Sequence, residues 1–124
     1  MAKLTWFPRA LGLATAAYGV AVTVRPALMA GPTGLTDAKG EPSTGVALLT
    51  RSIGIRDIAS GLAMAFAPAG TPLRAAIAVR VASDVGDAIG FGVGLPDADT
   101  RRKAALVAGV WGGLCALSAL ASRR

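Results

Sequence analysis

The chain predicts an all-α fold, a bundle of four transmembrane helices forming one integral membrane domain over residues 1–124. Three observations carry that expectation. Of the 124 residues 53% are hydrophobic and only 16% are charged, and the mean hydropathy of +0.56 lies above that of an ordinary soluble domain. The apolar residues gather in four runs, each long enough to cross a bilayer core at roughly 20 residues and 1.5 Å rise per residue. No strand-like alternation competes with them, and in lipid only helices or closed barrels satisfy every backbone polar group.

The first run spans 10–30 and follows Trp6, Phe7, Pro8 and Arg9, an aromatic and basic edge suited to a membrane interface. A secretory leader is the rival reading of this stretch: Lys3 and Arg9, an apolar core, then Leu28-Met29-Ala30 before Gly31. Arg25 and Pro26 would fall between core and cut, and three further runs follow, so a first span is expected. Residues 31–45, GPTGLTDAKGEPSTG, read as a solvated loop rather than a lid. The second span, 46–67, holds Arg51, Arg56 and Asp57. Pro68, Gly70 and Pro72 then make a tight turn that returns the third span, 73–95, antiparallel beside the second. A charged connection follows, in which Asp97 or Asp99 is placed to cap the last helix. The fourth span, 104–121, ends before Arg123 and Arg124.

The net charge of +6 invites a nucleic-acid reading. The Lys and Arg residues, however, sit at the ends of apolar runs without interleaved aromatics, so the expected partner is the lipid bilayer and not nucleic acid. One cysteine and no histidine exclude a disulfide framework within the chain and the usual zinc spacings, and no metal or cofactor is expected. Basic residues divide between the two ends of the bundle: Lys3, Arg9, Arg74, Arg123 and Arg124 against Arg25, Lys39, Arg51, Arg101, Arg102 and Lys103. The positive-inside rule therefore gives no clear orientation.

The most informative stretch is RVASDVGDAIG, residues 80–90. On a helix Arg80, Asp84 and Asp87 share one face, which Phe91 continues. Charges at the bilayer centre cost roughly 2.5–3.5 kcal/mol each on insertion scales and turn towards partners inside a bundle. The tight turn allows their depth to be calculated. Arg56 and Asp84 each lie 14 residues from Gly70, which makes them level and natural partners; Asp57 falls opposite Ser83 and Arg80 opposite Ser60. Arg80 then reaches Asp57 or, along its own helix, Asp84. Tyr18 and Trp111, near the middles of the first and fourth runs, complete a layer, with the Tyr18 phenol as a donor into it.

Within that layer Arg56 and Arg80 face Asp57, Asp84 and Asp87, one carboxylate in excess. Arg51 pairing with Asp87, a protonated Asp, or a bound cation would each balance it. Gly86, Gly90 and Gly94, and the ridge of Ala105, Gly109 and Gly113, read as close helix-packing surfaces within the chain. Cys115 reads as an inert buried thiol. A divalent metal at Asp84 and Asp87 is disfavoured by Arg80 one turn away.

The succession of Arg25-Pro26, a Gly/Pro loop, Gly54-Ile55-Arg56-Asp57-Ile58-Ala59-Ser60-Gly61, and a third run holding Asp84 and Asp87 resembles family 4267 of the domains of unknown function. These are small four-helix integral membrane proteins that look related to DoxX-like proteins, and the resemblance covers nearly the whole chain. It implies a compact four-helix membrane bundle, multi-pass in the cell membrane with both termini cytoplasmic, and no established activity. DoxX-like relatives are linked to quinone or thiol redox systems, but this chain lacks the cysteines for that chemistry, and redox function is not carried over.

The function the sequence favours is a non-catalytic membrane scaffold or accessory component. In it the Arg/Asp network specifies helix pairing and the glycine ridges dock a membrane protein partner. The alternative is binding or proton-coupled handling of a small lipophilic molecule at the layer of Arg56, Asp57, Arg80, Asp84, Asp87 and Tyr18. A membrane isomerase or cyclase with an Asp as general acid is a further alternative that no motif supports.

Overall fold

In the computed structural model, which describes residues 5–121, the chain folds into four long helices and one short one. They are α1 (Trp6–Val24), α2 (Ala27–Ala30), α3 (Thr44–Phe66), α4 (Thr71–Gly94) and α5 (Ala98–Ala121). Lys3, Arg123 and Arg124, which entered the orientation argument, lie outside the described residues. Among the described residues there is no strand, only an isolated bridge between Thr36 and Pro42 in the α2–α3 loop.

Local chemistry sets most boundaries. The expected first run breaks at Arg25, because the residue before a proline is driven out of the helical region; Arg25 is extended and Pro26 opens α2. Ser43 caps α3 by accepting from the Val46 amide at 3.2 Å. The turn at 67–70 depends on Gly70, whose φ of +98° only glycine adopts freely. Pro72 follows within the first turn of α4, where its missing N–H costs nothing. Asp97 accepts from the Thr100 amide at 2.9 Å and hydroxyl at 3.0 Å. That cap starts α5 six residues before the expected run at 104. The first of the two capping candidates is thus the one used; Asp99 instead makes an exposed pair with Arg102.

The helices associate as two antiparallel pairs, α1 on α3 and α4 on α5, with thinner contact between the pairs. The seam of the first pair is built from glycine. Gly12 lies against Gly61 and Gly19 against Gly54, so closely that a Cβ at any of the four would collide with backbone of the opposite helix. Two arginines close its ends reciprocally. Arg9 donates to the Met64 and Ala67 carbonyls at the C-terminus of α3 (3.2 and 2.6 Å), and Arg51 Nε donates to the Thr23 carbonyl at the C-terminus of α1 (3.2 Å). Both satisfy carbonyls that a helix end leaves without partners.

The expected packing ridges are not the ones used. A Cβ at Gly86, Gly90 or Gly94 on α4, or at Gly109 or Gly113 on α5, would meet nothing within 4 Å, and of the expected ridges only Ala105 packs, against Gly92. On α5 the close approach falls at Gly112, beside Asp84. The four long helices meet in an apolar cluster of Leu11, Met64, Leu73, Ile77 and Cys115 at the end nearest the 67–70 turn. Cys115 is fully buried there, as expected.

By length and composition Trp6–Val24 and Ala98–Leu120 suffice to cross a membrane. The charges Arg51, Arg56 and Asp57 on α3, and Arg74, Arg80, Asp84 and Asp87 on α4, keep those two helices from passing the same test. The fold is therefore all-helical, with two helices of membrane-crossing character.

Candidate functional site

The expected polar layer exists, one level above the apolar cluster, but its pairings differ in part from those the sequence suggests. Arg80, 1% exposed, is its hub. One terminal nitrogen donates to Asp57 at 2.6 Å and to Ser60 Oγ at 2.9 Å, and the other donates to Asp84 Oδ1 at 2.8 Å. Arg80 thus takes both carboxylates expected within its reach and the serine expected opposite it. Arg56 does not pair with Asp84. It grips Asp87 through both terminal nitrogens (3.0 and 2.6 Å), the second also reaching Asp57 at 3.1 Å.

The reason for this change is lateral. Level positions on α3 and α4 belong to two separate helix pairs, and Asp84 is turned towards α5, where its Cβ lies 3.0 Å from the position of a Cβ on Gly112. Asp87, one turn on, faces the gap that the long Arg56 side chain spans. The Ser83 hydroxyl takes no part in the cluster; it donates to the Val79 carbonyl of its own helix. Arg51, the expected partner for the excess carboxylate, serves the end of α1 instead.

The excess therefore persists: two guanidinium groups serve three carboxylates. Asp57 and Asp87 are engaged by Arg56, and Asp57 also by Arg80. Asp84 is held through Oδ1 alone, and its buried Oδ2 has no hydrogen-bond partner among the described residues. The Nε atoms of Arg56 and Arg80 are similarly without acceptors.

Above this network the two helix pairs diverge and leave an open-mouthed cavity of about 480 Å³. Its floor is Asp57, Arg80, Asp84 and Asp87. Thr15 and Tyr18 of α1 form one wall, and Val107 and Trp111 of α5 the opposite one. Met29 of α2, Thr33 of the loop, Phe91 at the end of the acidic stripe, and Lys103 reach its upper part. The lower end is closed by Trp111, whose indole N–H donates to Thr15 Oγ1 at 2.9 Å, while that hydroxyl donates to the Leu11 carbonyl. Tyr18 is placed in the cavity wall, but among the described residues its hydroxyl makes no hydrogen bond into the layer.

Of the six residues expected at the site, Arg56, Asp57, Arg80, Asp84 and Asp87 form one ion-paired cluster, and Tyr18 stands beside it. Sequence reasoning missed the Thr15–Trp111 bond and the cavity above the charges. The equal depth of Thr15 and Trp111 was the available signal. No family model, curated protein or solved structure matches the chain. Among the described residues no group of three or more His, Cys, Asp or Glu is arranged to hold a metal ion.

Proposed function

We propose that this is a four-span protein of the cell membrane that binds a small lipophilic molecule in the cavity above its Arg/Asp network. Polarity of the bundle supports the two additional spans. Ile55, Leu62 and Phe66 on α3, and Val79, Val85, Ile89 and Val93 on α4, are exposed, whereas Arg56, Asp57, Arg80, Asp84 and Asp87 turn inward; Arg51 and Arg74, nearer the N-terminal ends of the two helices, are the exposed charges. Soluble domains do the reverse, and a buried charge cluster beneath a continuous apolar exterior suits lipid. At 23 and 24 residues, these helices reach about 35 Å at 1.5 Å per residue, the thickness of a hydrocarbon core with its margins.

The cavity is the observation that carries the binding role. A space of about 480 Å³ with apolar and aromatic walls and a few convergent polar groups has the size and chemistry of a small-molecule site. A network serving helix pairing alone has no need of such a space beside it. Native mass spectrometry of the protein released from its host's membranes tests the reading, with the cavity wall filled by Ala108→Trp. The expected result is a stoichiometric small molecule on the wild type that the variant loses. A bare wild-type chain, or a mass retained by the variant, would contradict it.

A second reading, the scaffold or accessory component, draws on the open glycine ridge of α4. Gly86, Gly90 and Gly94 leave room for the backbone of another helix, and none of the described residues fills it. Retention of a partner protein by the wild type and its loss on Gly90→Leu would favour this reading.

A further inference from the structure

The charge balance of the cavity floor specifies what kind of molecule fits. Resting on the binding role proposed above, we infer that the cavity takes a lipophilic amine, and that its ammonium group supplies the positive charge missing opposite Asp84. Three observations converge on this class. Among the described residues Asp57, Asp84 and Asp87 form ion pairs only with Arg56 and Arg80, so the cluster with all five groups ionised carries one net negative charge, in surroundings where charge is weakly screened. Asp84 lines the cavity with a side chain only 6% exposed, and its buried Oδ2 has no hydrogen-bond partner among the described residues. The walls around it carry Tyr18, Phe91 and Trp111, the faces that organic cations favour.

The opposite assignment, an anion held by Arg80, is disfavoured by the same count. Arg80 already spends both terminal nitrogens on two carboxylates and a serine. An anion would place a fourth negative group beside two positive ones. Lys103 does not neutralise the floor either. It lies nine residues before Gly112, which packs beside Asp84; along α5 that is about 13 Å at 1.5 Å per residue. There, at the upper rim, its exposed ammonium can extend away from the cavity on a flexible stem.

Three probes of one shape separate the possibilities on the full chain in lipid nanodiscs: 4-butylbenzylamine, 4-butylbenzyl alcohol and 4-butylbenzoate. Binding is read by ligand-observed NMR, with Ala108→Trp nanodiscs as the blank for partitioning into lipid. The amine is expected to bind about tenfold or more tighter than the alcohol, as a charge-assisted hydrogen bond allows, and the carboxylate not at all. Asp84→Asn should remove the preference for the amine. Should that variant fail to fold, the ranking of the three probes on the wild type still decides. Equal binding of amine and alcohol, both abolished by Ala108→Trp, would overturn the amine assignment and leave the cavity as a lipophilic site. Tightest binding of the carboxylate would overturn it in favour of Arg80 as the recognising group. No binding of any probe above the blank would overturn the binding role together with the inference.

Discussion

The two junctions of this bundle are built on opposite principles. Between α1 and α3 the backbones touch: Gly12, Gly19, Gly54 and Gly61 let the two chains meet backbone to backbone, and a Cβ at any of the four would collide with the opposite helix. Between the two helix pairs the backbones stand apart, joined by the apolar cluster at one end and, above it, by Arg56 and Arg80 reaching across to Asp87 and Asp57. The first junction gains dispersion contact over its whole length. The second gains directional bonds but leaves space above them, and that space is the cavity. A helical bundle can thus hold a binding site without a gap in its packing elsewhere, provided one junction is strutted by long side chains rather than closed by small ones.

Substitutions at the two junctions should separate these principles. The largest loss is expected for Arg80→Met, which strands Asp84 in the interior and leaves Asp57 with Arg56 alone. Removing one member of a buried ionic network typically costs about 3–5 kcal/mol, measurable as a drop in unfolding free energy in mixed micelles. Unchanged stability would mean that the struts do not hold the pairs together. Next comes Gly61→Ala, whose Cβ meets the Gly12 carbonyl and the backbone of Ala16. Overpacking of this kind costs about 1–3 kcal/mol. The same substitution at Gly90 should have the opposite sign, because its Cβ enters open space and Ala gains up to about 1 kcal/mol over Gly within a helix. A loss at Gly90 would show that the outer ridge of α4 is occupied by another helix.

The smallest effect concerns the start of α5. Bonds from the Thr100 amide and hydroxyl hold the Asp97 carboxyl below its ordinary pKa of 3.8. A carboxyl lowered by folding stabilises the folded state above its unfolded pKa, and that contribution disappears as pH falls through the lowered folded value. Protection of the Thr100 amide against hydrogen exchange, corrected for intrinsic rates, should therefore persist at neutral pH and fade only below about pH 3.8. In Asp97→Ala the amide should be weakly protected throughout.

How far the sequence revealed this structure depends on the range of the interactions involved. Helix ends were legible where local chemistry decides them, at the 67–70 turn and at Asp97, whereas the break at Arg25 and Pro26 fell inside the expected first run. Membership of the charged cluster was legible too, since an Arg or Asp inside an apolar run must turn towards partners. The pairing was not. Counting outward from Gly70 gives depth along the bundle but not rotation about each helix, and rotation decided that Arg56 meets Asp87 while Asp84 faces Gly112. The glycine seam was missed for a related reason. Gly12 and Gly19 are seven residues apart, as are Gly54 and Gly61, and their meaning emerges only when the two helices are set side by side. The shorter spacing of Gly86, Gly90 and Gly94 is the more conspicuous motif, and it is the one this fold leaves open.

The central claim is that the charged cluster lies at mid-membrane depth inside a bundle whose outer faces meet lipid. Nitroxide labels at Ile55 and Val85, in a Cys115→Ala background, test it directly by power-saturation EPR in bilayers. Both positions are exposed and each adjoins a member of the cluster, Arg56 and Asp84 respectively. The account predicts high collision rates with oxygen and negligible rates with a water-soluble nickel complex at both positions. Free access of the nickel complex to either label would place that face in water and contradict the four-span reading.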